Sequence, residues 1–291
     1  MRHIFRFLTL GLVALFMVVL TNCASSNDSG NTGTTVVASN GNYSEQVQAG
    51  IDYFKAQAEE QLPLVEKLLE ALEGGDLEAA KTAYVDSRPP YEQIEVLALN
   101  FEEEDTDIDA RPYAFDNGEE DEAFKGFHRI EALIYRDEDL EAAVPYGEGL
   151  VESVKALMEK LDDPSNFSPT DHFAGMIGLA TEVPAKKISS EEETWSDQSI
   201  LIFENNWIGI YSQYEPFAKS LEEKDAGLAG KVKATYEACM ETIKPFLIEG
   251  QAAAKPYSSI DAKQRGTITK ASYEFRNALV EARDALGIEE G

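Results

Sequence analysis

Residues 126–137, GFHRIEALIYRD, place an imidazole three positions ahead of a carboxylate inside an apolar run. Histidine is scarce here: of three in the chain, only His128 and His172 lie beyond the first few residues. On a helix, positions three apart share a face, so His128 and Glu131 project together, with Tyr135 a turn further on. Phe124, Phe127, Ile130 and Ile134 surround them with bulk. A His–Glu pair in such company is partly desolvated and needs a partner or a metal ion. Upstream, YEQIE sets Glu92 and Glu95 three apart on another helical face. If the two helices are antiparallel neighbours, three carboxylates and one imidazole converge. Oxygen donors with a single nitrogen suit a hard or borderline cation: ferric or ferrous iron, manganese or zinc. A lone His-x-x-Glu also serves as an ordinary surface hydrogen bond, and spacing alone leaves both readings open.

Enzyme chemistry finds little support. A zincin needs His-Glu-x-x-His and an inverted zincin His-x-x-Glu-His. Ala132 follows Glu131, so the second histidine is missing, and His172 lies far along the chain. Gly-x-Ser-x-Gly, P-loop and dinucleotide fingerprints are absent. A metallopeptidase stays as the alternative from the enzyme class.

The elements that must position these residues are helical from residue 43 onward. Val47, Ile51, Phe54, Ala58, Leu62, Val65, Leu68, Leu69 and Leu72 follow the three-and-four spacing of an amphipathic helix. Ser44 is its expected N-cap, Pro63 its expected kink and Gly74–Gly75 its stop. Asp76 is placed to cap the next helix, which Pro89 and Pro90 should break or bend before Tyr91. Residues 102–122 carry eleven acids and one base, Arg111, and read as a solvated loop. Further helices are expected near 139–162, 170–188, 197–223, 226–254 and 259–286. DDPSNFSPTD, residues 162–171, is the best internal boundary. The expected fold is all-α: two tandem antiparallel bundles of about four helices, over residues 43–162 and 170–291.

The chain has 291 residues and a net charge of −29. Such a charge repels phosphates and argues against nucleic acid as a partner, and it suits a soluble monomer, a cation-handling protein or a protein from a salty habitat. MRHIFR followed by an apolar run over residues 7–20 reads as a signal peptide, residues 1–22. LTNC ends it, with Leu20 three places before Cys23 in the manner of a lipobox, although Asn22 departs from the usual Gly or Ala. Cys23 is therefore the expected site of lipid attachment, and residues 23–42 the flexible tether behind it. The only other cysteine is Cys239, so no disulfide framework is expected.

GFHRIE resembles the signature of the imelysin-like family, in particular its iron-uptake lipoproteins of the EfeO/EfeM type. SRPPYEQIE (87–95), DTDIDAR (105–111), KISSEEETWSD (187–197) and FENNWIGI (203–210) match in the expected order. The resemblance spans most of residues 43–290. It implies an exported two-bundle protein, in the periplasm or lipid-anchored on the outer face of the cell membrane. It implies that the His-x-x-Glu motif binds metal and that iron passes to a membrane iron permease, with a haem peroxidase in the same uptake system. Some relatives were classed as peptidases, and some are linked to acidic polysaccharides. Residues 23–43 leave no room for the cupredoxin domain of longer relatives, so the short type is expected. Carried over by position, the metal motif is His128 and Glu131, with Glu92 and Glu95 in the matching helix. Asp109 and Glu204 fall in other family-like segments. For Asp109 the solvated-loop reading takes precedence; for Glu204 an inter-helix hydrogen bond stands level with ligation.

Overall fold

The computed structural model describes residues 43–163, 167–190 and 192–291. The expected signal peptide, Cys23 and the tether lie outside these residues. Among the described residues every extended element is helical, and a single isolated bridge pairs Leu247 with Ala254.

Helix α1 spans Ser44–Gly74 and runs unbroken through Pro63. Its apolar stripe is buried from Val47 to Leu72, and Gly75 ends it at φ 70°, in the left-handed region that favours glycine. Tyr43, rather than Ser44, occupies the N-cap position. The reason is tertiary: the Tyr43 ring packs on Phe217 and its hydroxyl donates to the Leu286 carbonyl.

Helix α2, Leu77–Ile94, is capped by the Asp76 side chain as expected. The expected break at Pro89–Pro90 does not occur; the helix continues to Ile94 and then tightens into a 3-10 turn over Glu95–Asn100. Proline fixes φ near the helical value, so its cost is the lost donors. Burial of Tyr84, Tyr91 and Ile94 holds the helix on course, each large side chain contributing about 1.5–3 kcal/mol.

The acidic loop is also corrected. Glu102–Asp109 forms helix α3, and irregular chain with short 3-10 turns begins only at Ala110. Glu102, Glu103, Glu104 and Asp105 fill its first turn, where the positive end of the helix dipole favours carboxylates. A charge run that looks like solvated loop is, at this end of a helix, a favourable first turn.

The remaining helices are α4 (Phe127–Glu131), α5 (Leu140–Leu161), α6 (Pro169–Glu182), α7 (Ile188–Ser190), α8 (Ser199–Lys224), α9 (Ala226–Ile243) and α10 (Ala262–Leu286). Helix α9 stops well short of residue 254 because Pro245 intervenes and the chain turns through Lys244–Phe246. Helix α1 packs along α2 and α5, α9 packs along α8 and α10, and α2 lies against α8. The described helices pack together as one compact unit. At the α2–α8 crossing, Gly209 approaches so closely that a Cβ there would sit 2.5 Å from the Gln93 carbonyl oxygen.

Candidate metal centre

Helix α4 begins at Gly126, whose φ is 77°. A Cβ at this position would lie 2.3 Å from the Ile108 carbonyl oxygen and 2.6 Å from that of Asp107. The glycine therefore lets α4 start directly against the C-terminal end of α3. That juxtaposition brings His128 to Asp109, with Nε2 and Oδ1 3.6 Å apart. The segment after α7 adds Glu192. One ligand atom from each of Asp109, His128 and Glu192 lies within 4.8 Å of the others, and all three residues are buried.

Two π-helical turns frame this cluster. One, Ala132–Arg136, follows Glu131 immediately; the other, Val183–Lys187, ends at Lys187. Such turns are rare and gather at functional sites.

Glu131 stands beside the imidazole. Its Oε2 lies 3.2 Å from His128 Nδ1, and its Oε1 accepts from the backbone amides of Trp195 (2.8 Å) and Ser196 (2.7 Å). With Glu131 as acceptor, the proton of neutral His128 sits on Nδ1, and Nε2 keeps a lone pair. Nε2 is buried and makes no hydrogen bond. In the neutral ring this nitrogen faces Asp109 Oδ1 with no donor between them, a repulsive contact that either a proton on Nε2 or a coordinated cation relieves. The carboxylate–histidine relay is how metal-binding imidazoles are generally oriented.

Three cations are interleaved with the acids. Arg88 pairs with Glu92 (2.6 Å), Asp109 (2.6 Å) and Glu193 (2.9 Å), and its guanidinium lies 4.4 Å over the Phe127 ring. Lys187 pairs with Glu95 (2.7 Å), Glu192 (3.2 Å) and Glu92 (3.8 Å). Arg111 pairs with Glu192 Oε2. The Asn206 amide donates to Glu92 (3.0 Å) and Glu95 (2.8 Å). Against these three cations stand seven carboxylates: Glu92, Glu95, Asp105, Asp109, Glu131, Glu192 and Glu193. The imbalance is relieved by protons held on some of these acids or by a further cation, because buried like charges repel at low dielectric.

The ionisation pattern follows. Burial pushes the Asp109 carboxyl up, but Arg88, then His128 and Lys187, outweigh it and hold the group at about 2. Burial also opposes the Glu192 charge, and Lys187 and Arg111 overcome it, so its pKa is lowered. Burial works against the His128 cation, while Asp109 and the hydrogen bond to Glu131 raise it above the ordinary imidazole value. Burial raises Glu92 and Glu95 in spite of their cations. Asp105 is pushed to about 7 by burial and Glu95, and Glu193 to about 7 by burial and Glu131. Asp109 and Glu192 are thus charged acceptors ready for a cation.

Of the residues expected from sequence, the fold gathers His128, Glu131, Glu92, Glu95 and Asp109 into one buried network. Asp109 is not a solvated loop residue: α3 carries it into the interior, where Arg88 compensates its charge. Glu92 and Glu95 face Lys187 and Asn206 and are not part of the three-residue ligand group. Glu204 is half-buried on α8, where its charge acts on Tyr236 of α9. His172 sits elsewhere, its Nδ1 3.1 Å from the Ser168 carbonyl oxygen. Sequence reasoning missed Glu192, together with Arg88, Lys187 and Glu193. Arg88 had a visible signal, four residues before Glu92 on the same helix. Glu192 lies inside KISSEEETWSD, one of the matching segments, but nothing there set it apart from the acids on either side.

Two cavities flank the centre. One of about 370 Å³ is lined by Glu95, Asp105, Asp109, Arg111, Tyr113 and Glu182, among others. The second, about 250 Å³, is lined by Arg111, Tyr113, Glu119, His128 and Trp195, among others.

An all-helical protein with a buried, acid-rich centre around one imidazole is the class these features define. The chain belongs to the imelysin family, whose model matches residues 44–286. It is similar to the "Iron uptake system component EfeO" of Escherichia coli K12, 26% identical over 237 residues, covering 81% of this chain and 62% of that protein. The protein of the same name from Shigella boydii serotype 4 is 30% identical over 185 residues, covering 64% of this chain and 49% of its own length. The chain thus spans less than two thirds of the curated relatives it matches.

Proposed function

We propose that this protein is a non-enzymatic, extracytoplasmic component of an iron-uptake system, which captures an iron ion and passes it to a membrane iron permease. The observation that carries this reading is His128 Nε2, buried and without a hydrogen bond beside the charged carboxylates of Asp109 and Glu192. The similarity to proteins named as iron-uptake components supports iron as the cargo; zinc and manganese also suit the donors. Asp109, His128 and Glu192 hold the ion, and Glu131 orients the imidazole. Glu92 and Glu95 keep Lys187 in place. A haem peroxidase of the same system is the proposed second partner. Cys23 carries the lipid that keeps the protein at the membrane, so a Cys23→Ser variant should move to the soluble fraction. No helix among the described residues is long and apolar enough to cross a membrane.

The test is titration of the full-length protein with ferric, ferrous, zinc and manganese ions under controlled redox conditions. His128→Ala should weaken iron binding at least about tenfold, the scale of one lost ligand or its supporting partner, with an unchanged circular dichroism spectrum. Equal affinity in wild type and variant would make the cluster structural.

A further inference from the structure

Glu192 has a cation on each carboxylate oxygen: Arg111 on Oε2 and Lys187 on Oε1. A metal ion bound through either oxygen would sit beside the cation already there, and like charges at that range repel, so ligation favours the departure of one of them. Lys187 is poorly placed to leave. Its ammonium is fully buried, and both oxygens of Glu95 hold it at 2.7–2.8 Å. Moving it would leave the buried Glu95 carboxylate without its cation and would take from Glu92 one of its two, Arg88 being the other.

Arg111 differs on each count. It has one carboxylate partner, and its side chain is 10% exposed. It sits at the N-cap of the short 3-10 turn Pro112–Ala114, in irregular chain after α3. Its guanidinium already lies 5.4 Å from the ring of Tyr113, a residue 69% exposed. It also lines both cavities, the acidic one beside Asp109 and the one beside His128.

We propose, on the functional reading above, that Arg111 is the gate of the metal centre. The incoming cation replaces its guanidinium on Glu192, and the side chain swings outward along the Tyr113 ring, joining the two cavities at the ion. Arg111 acts as a displaceable counter-ion and does not ligate. The acidic cavity lined by Glu95, Asp105 and Glu182 is the approach for the ion, because its carboxylates concentrate cations.

Two measurements on the full-length protein test this, with zinc ion and anaerobic ferrous ion as probes. In stopped flow, Arg111→Gln should bind either ion with an association rate raised by about tenfold, the scale of one charge-assisted hydrogen bond no longer broken on entry. Static repulsion by the guanidinium would also slow binding, so a second readout is needed. In wild type, labelling of Arg111 by phenylglyoxal, mapped by mass spectrometry, should rise several-fold on metal saturation while Arg88 stays protected. Unchanged Arg111 labelling with metal bound overturns the gate, and this holds even if Arg111→Gln does not fold. A wild-type association rate in a folded Arg111→Gln overturns it as well. Absence of His128-dependent binding in wild type instead overturns the functional reading.

Discussion

Glu131 shows how far a residue's role depends on its surroundings. Both of its oxygens are engaged, by two backbone amides and by His128 Nδ1, so its contribution is to fix which imidazole nitrogen keeps a lone pair. Glu131→Gln tests this without changing the ligand count. The carboxamide oxygen would keep the two amides, and its NH₂ would face Nδ1. That reverses the hydrogen bond and moves the imidazole proton to Nε2. Metal affinity by calorimetry should then fall about 10–100-fold, as for other partners of ligating histidines. A change of less than twofold would remove Glu131 from the orienting role.

At the scale of elements, the centre depends on where short helices start and stop. Helix α4 is only five residues long and continues into a π turn. Its position rests on the Gly126 approach to the end of α3. Gly126→Ala must adopt the extended positive-φ conformation that is almost confined to glycine (φ 77°, ψ −159°), at about 1–3 kcal/mol, and also push a methyl into the Ile108 carbonyl. The neighbour is backbone and cannot rotate away, so α4 must shift. We expect a lower melting temperature, and metal binding weakened more than by the nearby surface change Lys125→Ala. Wild-type melting and binding in Gly126→Ala would show that α4 tolerates displacement.

For the whole molecule, buried acids make stability depend on pH. Asp105 and Glu193, both at about 7, bind protons in the folded state that the unfolded chain releases near pH 4. Between those values the folded state holds more protons, so its stability falls as pH rises. His172, held at about 4 by burial, works in the opposite direction between about 4 and 6.5, and the raised His128 offsets it. Repulsion within a chain of net charge −29 adds to the loss at higher pH. Metal-free protein should therefore melt higher at pH 5.5 than at pH 8 in calorimetry, and saturating metal at pH 8 should recover the difference. A melting temperature that rises from pH 5.5 to 8 without metal would contradict the ionisation pattern of the centre.

Apolar periodicity by itself determined the all-helical fold, because three-and-four spacing is a property of consecutive residues. The stop at Gly75 and the cap at Asp76 were equally local, and so were the shared faces of His128 with Glu131 and of Glu92 with Glu95. What the tertiary structure decided is everything set by long-range neighbours. Charge type alone made residues 102–109 look like loop, while four of their acids, Glu102–Asp105, fill the first turn of α3, and Ile108 and Asp109 are buried. Prolines 89 and 90 looked like a break, while burial on both sides carried α2 past them. Glu192 lies 64 residues beyond His128 in sequence and meets it only because the segment after α7 returns across α4. Arg88 and Lys187 then divided the carboxylates between ion pairs and the imidazole, since a buried acid's role is fixed by the charges that reach it in space.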